Sequence, residues 1–145
     1  LFESGEANIK DQGQAAVGKL SQSLLKTMTR PEYREALETV FIEGHTDNVP
    51  IHNEFFQSNW ELSTQRAINT WNLMRNDVPE FNWLVNPRGE PIFSCSGYAE
   101  TRPVRENGLD PNSEAGRAAN RRIDIRFVMM PPQDPGEKPS GGSHG

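Results

Sequence analysis

The run Val40-Phe41-Ile42, followed at once by Glu43, His45, Thr46 and Asp47, constrains this chain more than any other stretch. Consecutive side chains of an extended segment point to opposite faces. Three apolar residues in a row therefore predict a strand over residues 39–45 that is buried on both faces and central in a sheet. That strand ends against ionisable groups, and Asp47-Asn48-Val49-Pro50 reads as a turn. Near the other end of the chain, Ile123, Ile125, Phe127 and Met129 alternate with Arg122, Asp124, Arg126 and Val128. This period of two predicts a second strand with one buried face.

Helical periodicity fills the intervals. Val17, Leu20, Leu24, Leu25 and Met28 fall at i, i+3, i+7, i+8 and i+11, the stripe of an amphipathic helix. Pro31 ends that helix or opens a short turn over 30–37. Ser58 with Glu61 three residues on forms a capping box, and Ala67, Trp71, Met74 and Val78 continue at helical spacing until Pro79. The turn-rich NPRGEP leads to a predicted strand over 92–98. ENGLDPNSEAG is a second long loop, with room for a short helix over 112–120. Leu1 and Phe2 read as the remnant of a first strand. The alternation predicts an α+β fold with helices packed on one face of a mixed sheet.

Composition narrows the function. Net charge is −5 and the pI about 5.2, which argues against a nucleic-acid partner or an anionic membrane surface. Positive charge is local: Arg117, Arg121, Arg122 and Arg126 fall within ten residues. From Pro131 to Gly145 there is no apolar residue and eight of fifteen are Pro or Gly, so 131–145 is predicted to be a disordered tail. No stretch approaches the roughly 18 apolar residues of a membrane span. The abrupt, strand-like start LFESGE suggests a piece of a longer protein, with any membrane anchor upstream. The single Cys95 cannot form an internal disulfide and, near Phe93 and Tyr98, is expected to be a small buried residue.

Several chemistries can be written for the polar cluster. His45, Asp47 and His52 could ligate a metal, but their spacing matches no closed structural site and no Cys joins them. Ser63, His45 and Asp47 make a triad on paper, yet neither a nucleophile elbow nor a phosphate loop is present. Neither a cofactor nor a catalytic centre is expected. A third arrangement uses Asn59, Leu62 and Arg66, which share one face of the second helix. If that face approaches the end of the central strand, Asp47 and Arg66 form a receptor for a zwitterion, one taking an ammonium and the other a carboxylate. The alternative is a structural salt bridge between the two.

Three blocks, IEGHTDNVPI, SNWELSTQRA and GYAETRPV…NRRIDIRF, occur in this order and spacing. Together they resemble the OmpA-like peptidoglycan-binding domain, also found at the C-terminus of MotB-type stator subunits. The opening LFESGEANIKDQGQ fits the same family, and the resemblance covers residues 1–130. It implies a β/α/β/α/β–β two-layer sandwich, located in the periplasm, that holds the diaminopimelate-containing peptide stem of peptidoglycan non-covalently. Carried over by motif, Asp47 would take the ammonium and Arg66 the carboxylate. Thr46, Asn59 and Leu62 would line the pocket, and Asn120 and Arg121 would close it from the last strand. Arg121 rather than Arg122 is expected to face the pocket, because strand neighbours point oppositely.

The sequence departs from the family pattern at Ala99, where Gly is usual. It departs again over 78–93, a longer and more aromatic link carrying Phe81, Trp83 and Leu84 that is either a packed flap or an interaction surface. HTDNVPI with NWELSTQRA is more similar to the stator type than to outer-membrane proteins. The resemblance thus implies attachment to a membrane channel subunit, in a flagellar or a Zorya-type antiphage motor, with the insert and tail inclining towards the second. A homodimer is expected because one small zwitterion binds weakly and two domains on one polymer gain by effective concentration. The alternatives are a lipoprotein or porin tether to the wall, or a protein–protein adaptor using residues 81–84.

Overall fold

The computed structural model describes residues 1–131. The predicted tail beyond residue 131, and with it the expectation of disorder there, lies outside the described residues. In chain order the elements are α1 (Asp11–Met28), α2 (Pro31–Arg34), β1 (Leu37–Gly44), α3 (Asn59–Asp77), β2 (Phe93–Gly97), α4 (Glu114–Asn120) and β3 (Ile123–Met129). Short 3-10 turns cover Pro79–Asn82 and Glu106–Gly108.

The described sheet has the order β2-β1-β3, with β1 parallel to β2 and antiparallel to β3. It is therefore mixed, and β1 is central as its apolar run requires. Val40 and Ile42 are fully buried and pair with Phe93 and Cys95 on one side and Phe127 and Ile125 on the other. These form the inner face, covered by α3, and α1 packs in turn on α3. The outer face carries Phe41, Glu43, Ser96, Asp124 and Arg126, with the Arg126 guanidinium 4.5 Å from the centre of the Phe41 ring.

α3 crosses the sheet over a pair of glycines. Gly44 and Gly97 are register partners, and a Cβ at Gly44 would fall 1.9 Å from the Ser63 carbonyl oxygen, one at Gly97 2.6 Å from the Thr64 amide nitrogen. Only glycine permits this approach, and it brings Ser63 and Arg66 to the end of β1. Ser58 starts α3, its hydroxyl accepting from the Trp60 amide and donating to the Glu61 carboxylate.

Three expectations need correction. Leu1 and Phe2 form no strand: Leu1 O accepts from the Lys10 amide and Phe2 O from Arg121 Nε, so their carbonyls are committed to loop and side chain. Leu20 belongs to the helical stripe by spacing but is 41% exposed; Val17, Leu24 and Met28 carry the contact. Asn120 and Arg121 precede β3 rather than lying on it. Ser113 accepts from the Gly116 amide and starts α4, whose last residue is Asn120 and whose C-cap is Arg121.

The 78–93 link is mostly packed. Phe81 is buried against Trp71 and Phe93, and Asn86 braces the turn by donating to Glu38 O and accepting from the Arg88 and Glu90 amides. Trp83 and Val85 project from it, 72% and 51% exposed. Cys95 is half-buried, and burial pushes its thiol pKa up.

Candidate functional site

The end of β1 is pinned from both sides. His45 N donates to Arg122 O at 3.0 Å and Thr46 N to Ala99 O at 3.0 Å, which fixes the departure of the following loop. Thr46 Oγ1 donates to Asp47 O at 2.8 Å, and Asp47 Oδ1 accepts from the Val49 amide at 3.0 Å, the Asx-type turn that DNVP suggests. Asn59, at the first turn of α3, donates through Nδ2 to Val49 O at 3.2 Å, tying helix to loop. Its Oδ1 is buried and accepts no hydrogen bond from the described residues.

The arginine that meets Asp47 is Arg121, not Arg66. Arg121 Nη1 lies 2.9 Å from Asp47 Oδ2, its Nε donates to Phe2 O at 3.0 Å, and its Nη2 reaches Glu114 Oε1 at 3.4 Å. Both members of the Asp47–Arg121 pair are buried. The pairing arises because α4 ends at Asn120 and its C-cap residue turns in towards the β1 end, not through strand alternation. Asn120 holds the corner: Oδ1 accepts from the Val104 amide at 2.7 Å and from Arg122 Nη1 at 3.0 Å, and Nδ2 donates to Gly116 O at 2.9 Å. Arg122 turns to Asp124 and Arg102 O.

Arg66 is the most voluminous fully buried side chain, 1% exposed. Its Nε donates to Glu6 O at 2.8 Å, Nη1 to His45 O at 3.0 Å and Nη2 to Glu3 O at 3.1 Å, with the Phe2 ring 4.8 Å from its guanidinium carbon. Desolvation lowers its pKa to about 10, against the raising influence of Asp47, and it remains a cation at neutral pH. A guanidinium has five N–H donors, so three carbonyl bonds leave two uncommitted. Leu62 is buried one turn earlier on the same helix. The structure thus gathers Thr46, Asp47, Asn59, Leu62, Arg66, Asn120 and Arg121 around the β1 end, with Phe2, Glu3 and Glu6 laid against Arg66 and Phe2 also against Arg121.

The other constellations do not assemble. His52 is exposed with Nδ1 3.1 Å from Gln57 O, and among the described residues no three His, Cys, Asp or Glu side chains converge as metal ligands. Ser63 donates to Trp60 O and accepts from the Ala99 amide, so its hydroxyl is a structural brace between α3 and the loop after β2. His45 stacks on Tyr98 with ring centres 5.2 Å apart, and its Nε2 lies 3.1 Å from Asp124 Oδ2 without hydrogen-bond alignment. Burial first, then Arg122, hold the His45 pKa below its ordinary value. Phe2, Glu3 and Glu6 were not foreseeable as site residues: all three act through backbone carbonyls, and Phe2 also through its ring packed against Arg66.

Residues 1–121 match the OmpA family. Motility protein B of Bacillus subtilis is 33% identical over 139 residues, spanning 95% of this chain and 45% of that protein. Among solved structures, the cell wall anchor of the T6SS from Pseudomonas aeruginosa is 28% identical with a TM-score of 0.62, covering 90% of this chain and 76% of that one. The C-terminal domain of Helicobacter pylori MotB, 21% identical, shares the fold with a TM-score of 0.63 over 88% of this chain and 81% of that one. The chain spans less than half the length of the curated relatives it matches. The chain belongs to the OmpA family.

Proposed function

We propose that this domain binds the peptide stem of peptidoglycan non-covalently and so anchors a membrane complex to the cell wall. The observation that carries the reading is the buried Asn59 Oδ1, which accepts nothing from the described residues and sits one hydrogen bond from the Asp47 loop. A buried acceptor without a donor costs about 1–3 kcal/mol, and an incoming ammonium would satisfy it. Asp47 would supply the negative charge for that ammonium, exchanging part of its bond to Arg121. The remaining N–H donors of Arg66 would take the carboxylate of the same amino-acid centre. Thr46 and Leu62 would shape the walls, and Asn120 would hold Arg121 in place. Because Phe2, Glu3 and Glu6 lie against Arg66, entry of the carboxylate requires Glu3–Glu6 to shift.

One small zwitterion offers few contacts, so a single site is weak, and two domains on one polymer would gain by effective concentration. A homodimer is therefore part of the proposal. So is attachment, through segments outside this chain, to a stator channel subunit in the periplasm-facing part of a flagellar or antiphage motor. The likeness to motility protein B supports this over a lipoprotein or porin tether. The reading contains no bond-breaking step, so soluble muropeptides should not be released from purified sacculi. Sedimentation with sacculi tests the pocket. The wild type should pellet with the wall, and a folded Asp47→Ala/Arg66→Ala double variant should stay in solution; unchanged pelleting of that variant would remove the assigned residues.

A further inference from the structure

The proposed pocket makes no use of the His45 ring, yet that ring is 3% exposed and neither of its nitrogens has a hydrogen-bond partner among the described residues. It stacks on Tyr98 with ring planes 9° apart, and its Nε2 lies 3.1 Å from Asp124 Oδ2. That carboxylate is already engaged: Arg122 Nε donates to Asp124 Oδ1 at 3.2 Å and to Oδ2 at 3.3 Å. The other charges around the ring are committed as well. Glu43 of β1 accepts from Tyr98 Oη and from Arg126 Nε of β3, and the Arg102 guanidinium lies 5.3 Å from the centre of the Tyr98 ring. From α3, Arg66 Nη1 reaches the His45 main chain and donates to its carbonyl oxygen at 3.0 Å. A neutral imidazole has one N–H donor, whereas both nitrogens donate once it is protonated.

We infer that His45 is a proton-operated latch on the ligand site: with a proton gained from solvent, its Nε2–H closes on Asp124, displaces Arg122 and weakens binding of the peptide stem. The inference rests on the peptidoglycan reading and adds regulation to the same site. An imidazolium and a guanidinium on one carboxylate repel each other, so Arg122 gives way as His45 closes. Arg122 carries that competition into the site. Its carbonyl oxygen accepts from His45 N at 3.0 Å, its Nη1 donates to Asn120 Oδ1 at 3.0 Å, and it directly follows Arg121, the partner of Asp47. On the other side, the His45 carbonyl oxygen positions Arg66. Movement of the ring and of Arg122 therefore falls on the residues that place both arginines of the pocket. The ligand fits the corner that neutral His45 leaves intact, so chains holding the protonated form are lost to binding. Burial first, then Arg122, outweigh Asp124 and Glu43 and hold the His45 pKa below its ordinary 6.5, so the loss sets in below that value. By reciprocity, bound ligand lowers the His45 pKa further, and binding releases protons in that range.

The test is calorimetric titration of the domain with a meso-diaminopimelate tripeptide, with the His45 ring followed by NMR in the free and the bound protein. Affinity should be about fivefold weaker at about pH 5 than at about pH 7.5, and the ligand should move the His45 pKa downward. His45→Gln should bind alike at both pH values. Asp124→Asn, at a side chain 45% exposed, removes the carboxylate that attracts the proton and should shift the loss of affinity to lower pH. Equal wild-type affinity at the two pH values, or a His45 pKa indifferent to the ligand, would overturn the latch and leave the peptide pocket standing. So would an equal loss in folded His45→Gln or an unshifted one in folded Asp124→Asn. A wild type that binds the tripeptide at neither pH would overturn the anchoring proposal and this one with it.

Discussion

At the scale of single residues, the site is a balance of buried charges. Asp47 and Arg121 are paired at 2.9 Å out of water, so removing one partner strands the other. Arg121→Ala should cost about 3–5 kcal/mol in denaturant unfolding, well beyond a surface salt bridge. Ala99 offers the opposite case. It adopts φ +54°, a left-handed conformation that costs a residue with a Cβ roughly 1 kcal/mol, and it is buried with its amide bonded to Ser63. Ala99→Gly should therefore be stabilising, by up to about 1 kcal/mol in the same experiment, less whatever packing the methyl provides. Ala99 stood out in the sequence because glycine is usual there, and the backbone angle gives the reason. Asp47 and Arg66 were legible from their motifs. The Asp47–Arg121 bond was not, because its partners lie 74 residues apart and meet only through the end of α4.

At the scale of elements, periodicity reads the apolar parts of this chain well and the polar parts poorly. β1, α1 and α3 follow from their stripes, because the pattern that predicts each element is the surface it buries. The short helix expected over 112–120 does end at Asn120, but the role of Arg121 as its C-cap rather than a strand residue was hidden, since Asn120, Arg121 and Arg122 show neither a period of two nor one of 3.6 residues. Leu1 and Phe2 misled because apolar character alone does not say where a backbone finds its hydrogen bonds. The crossing of α3 over β1 and β2 gives the sharpest element-level prediction. Gly44→Ala forces a methyl into the Ser63 carbonyl, which is backbone and cannot turn aside. It should cost about 3 kcal/mol or more and abolish ligand binding, because Arg66 rides on the same segment. Ser58→Ala removes only the cap of α3 and should cost about 1 kcal/mol.

At the scale of the whole molecule, helices cover one sheet face and leave the other to a polar network. Glu43 Oε2 accepts from Tyr98 at 2.6 Å and Arg126 Nε at 3.1 Å, and His45 is buried beside them. Desolvation and Arg122 depress the His45 pKa in the fold, outweighing the raising influence of Asp124 and Glu43. Protonation is then harder in the folded state than in the unfolded chain. Stability should be complete above the ordinary histidine value of 6.5 and fall as pH drops below it, until the folded histidine itself is charged. His45→Gln should flatten that part of the melting-temperature profile; an unchanged profile would assign the pH dependence to other groups.

A site that recognises a zwitterion must select between two nearly identical peptides. A stem ending in meso-diaminopimelate offers both an ammonium and a carboxylate, whereas its lysine counterpart keeps the ammonium and lacks the carboxylate. Calorimetric titration of the domain with each peptide measures this directly. The diaminopimelate peptide should bind at least about tenfold more tightly, an advantage lost in a folded Arg66→Ala variant. Equal affinity for the two peptides would contradict zwitterion recognition.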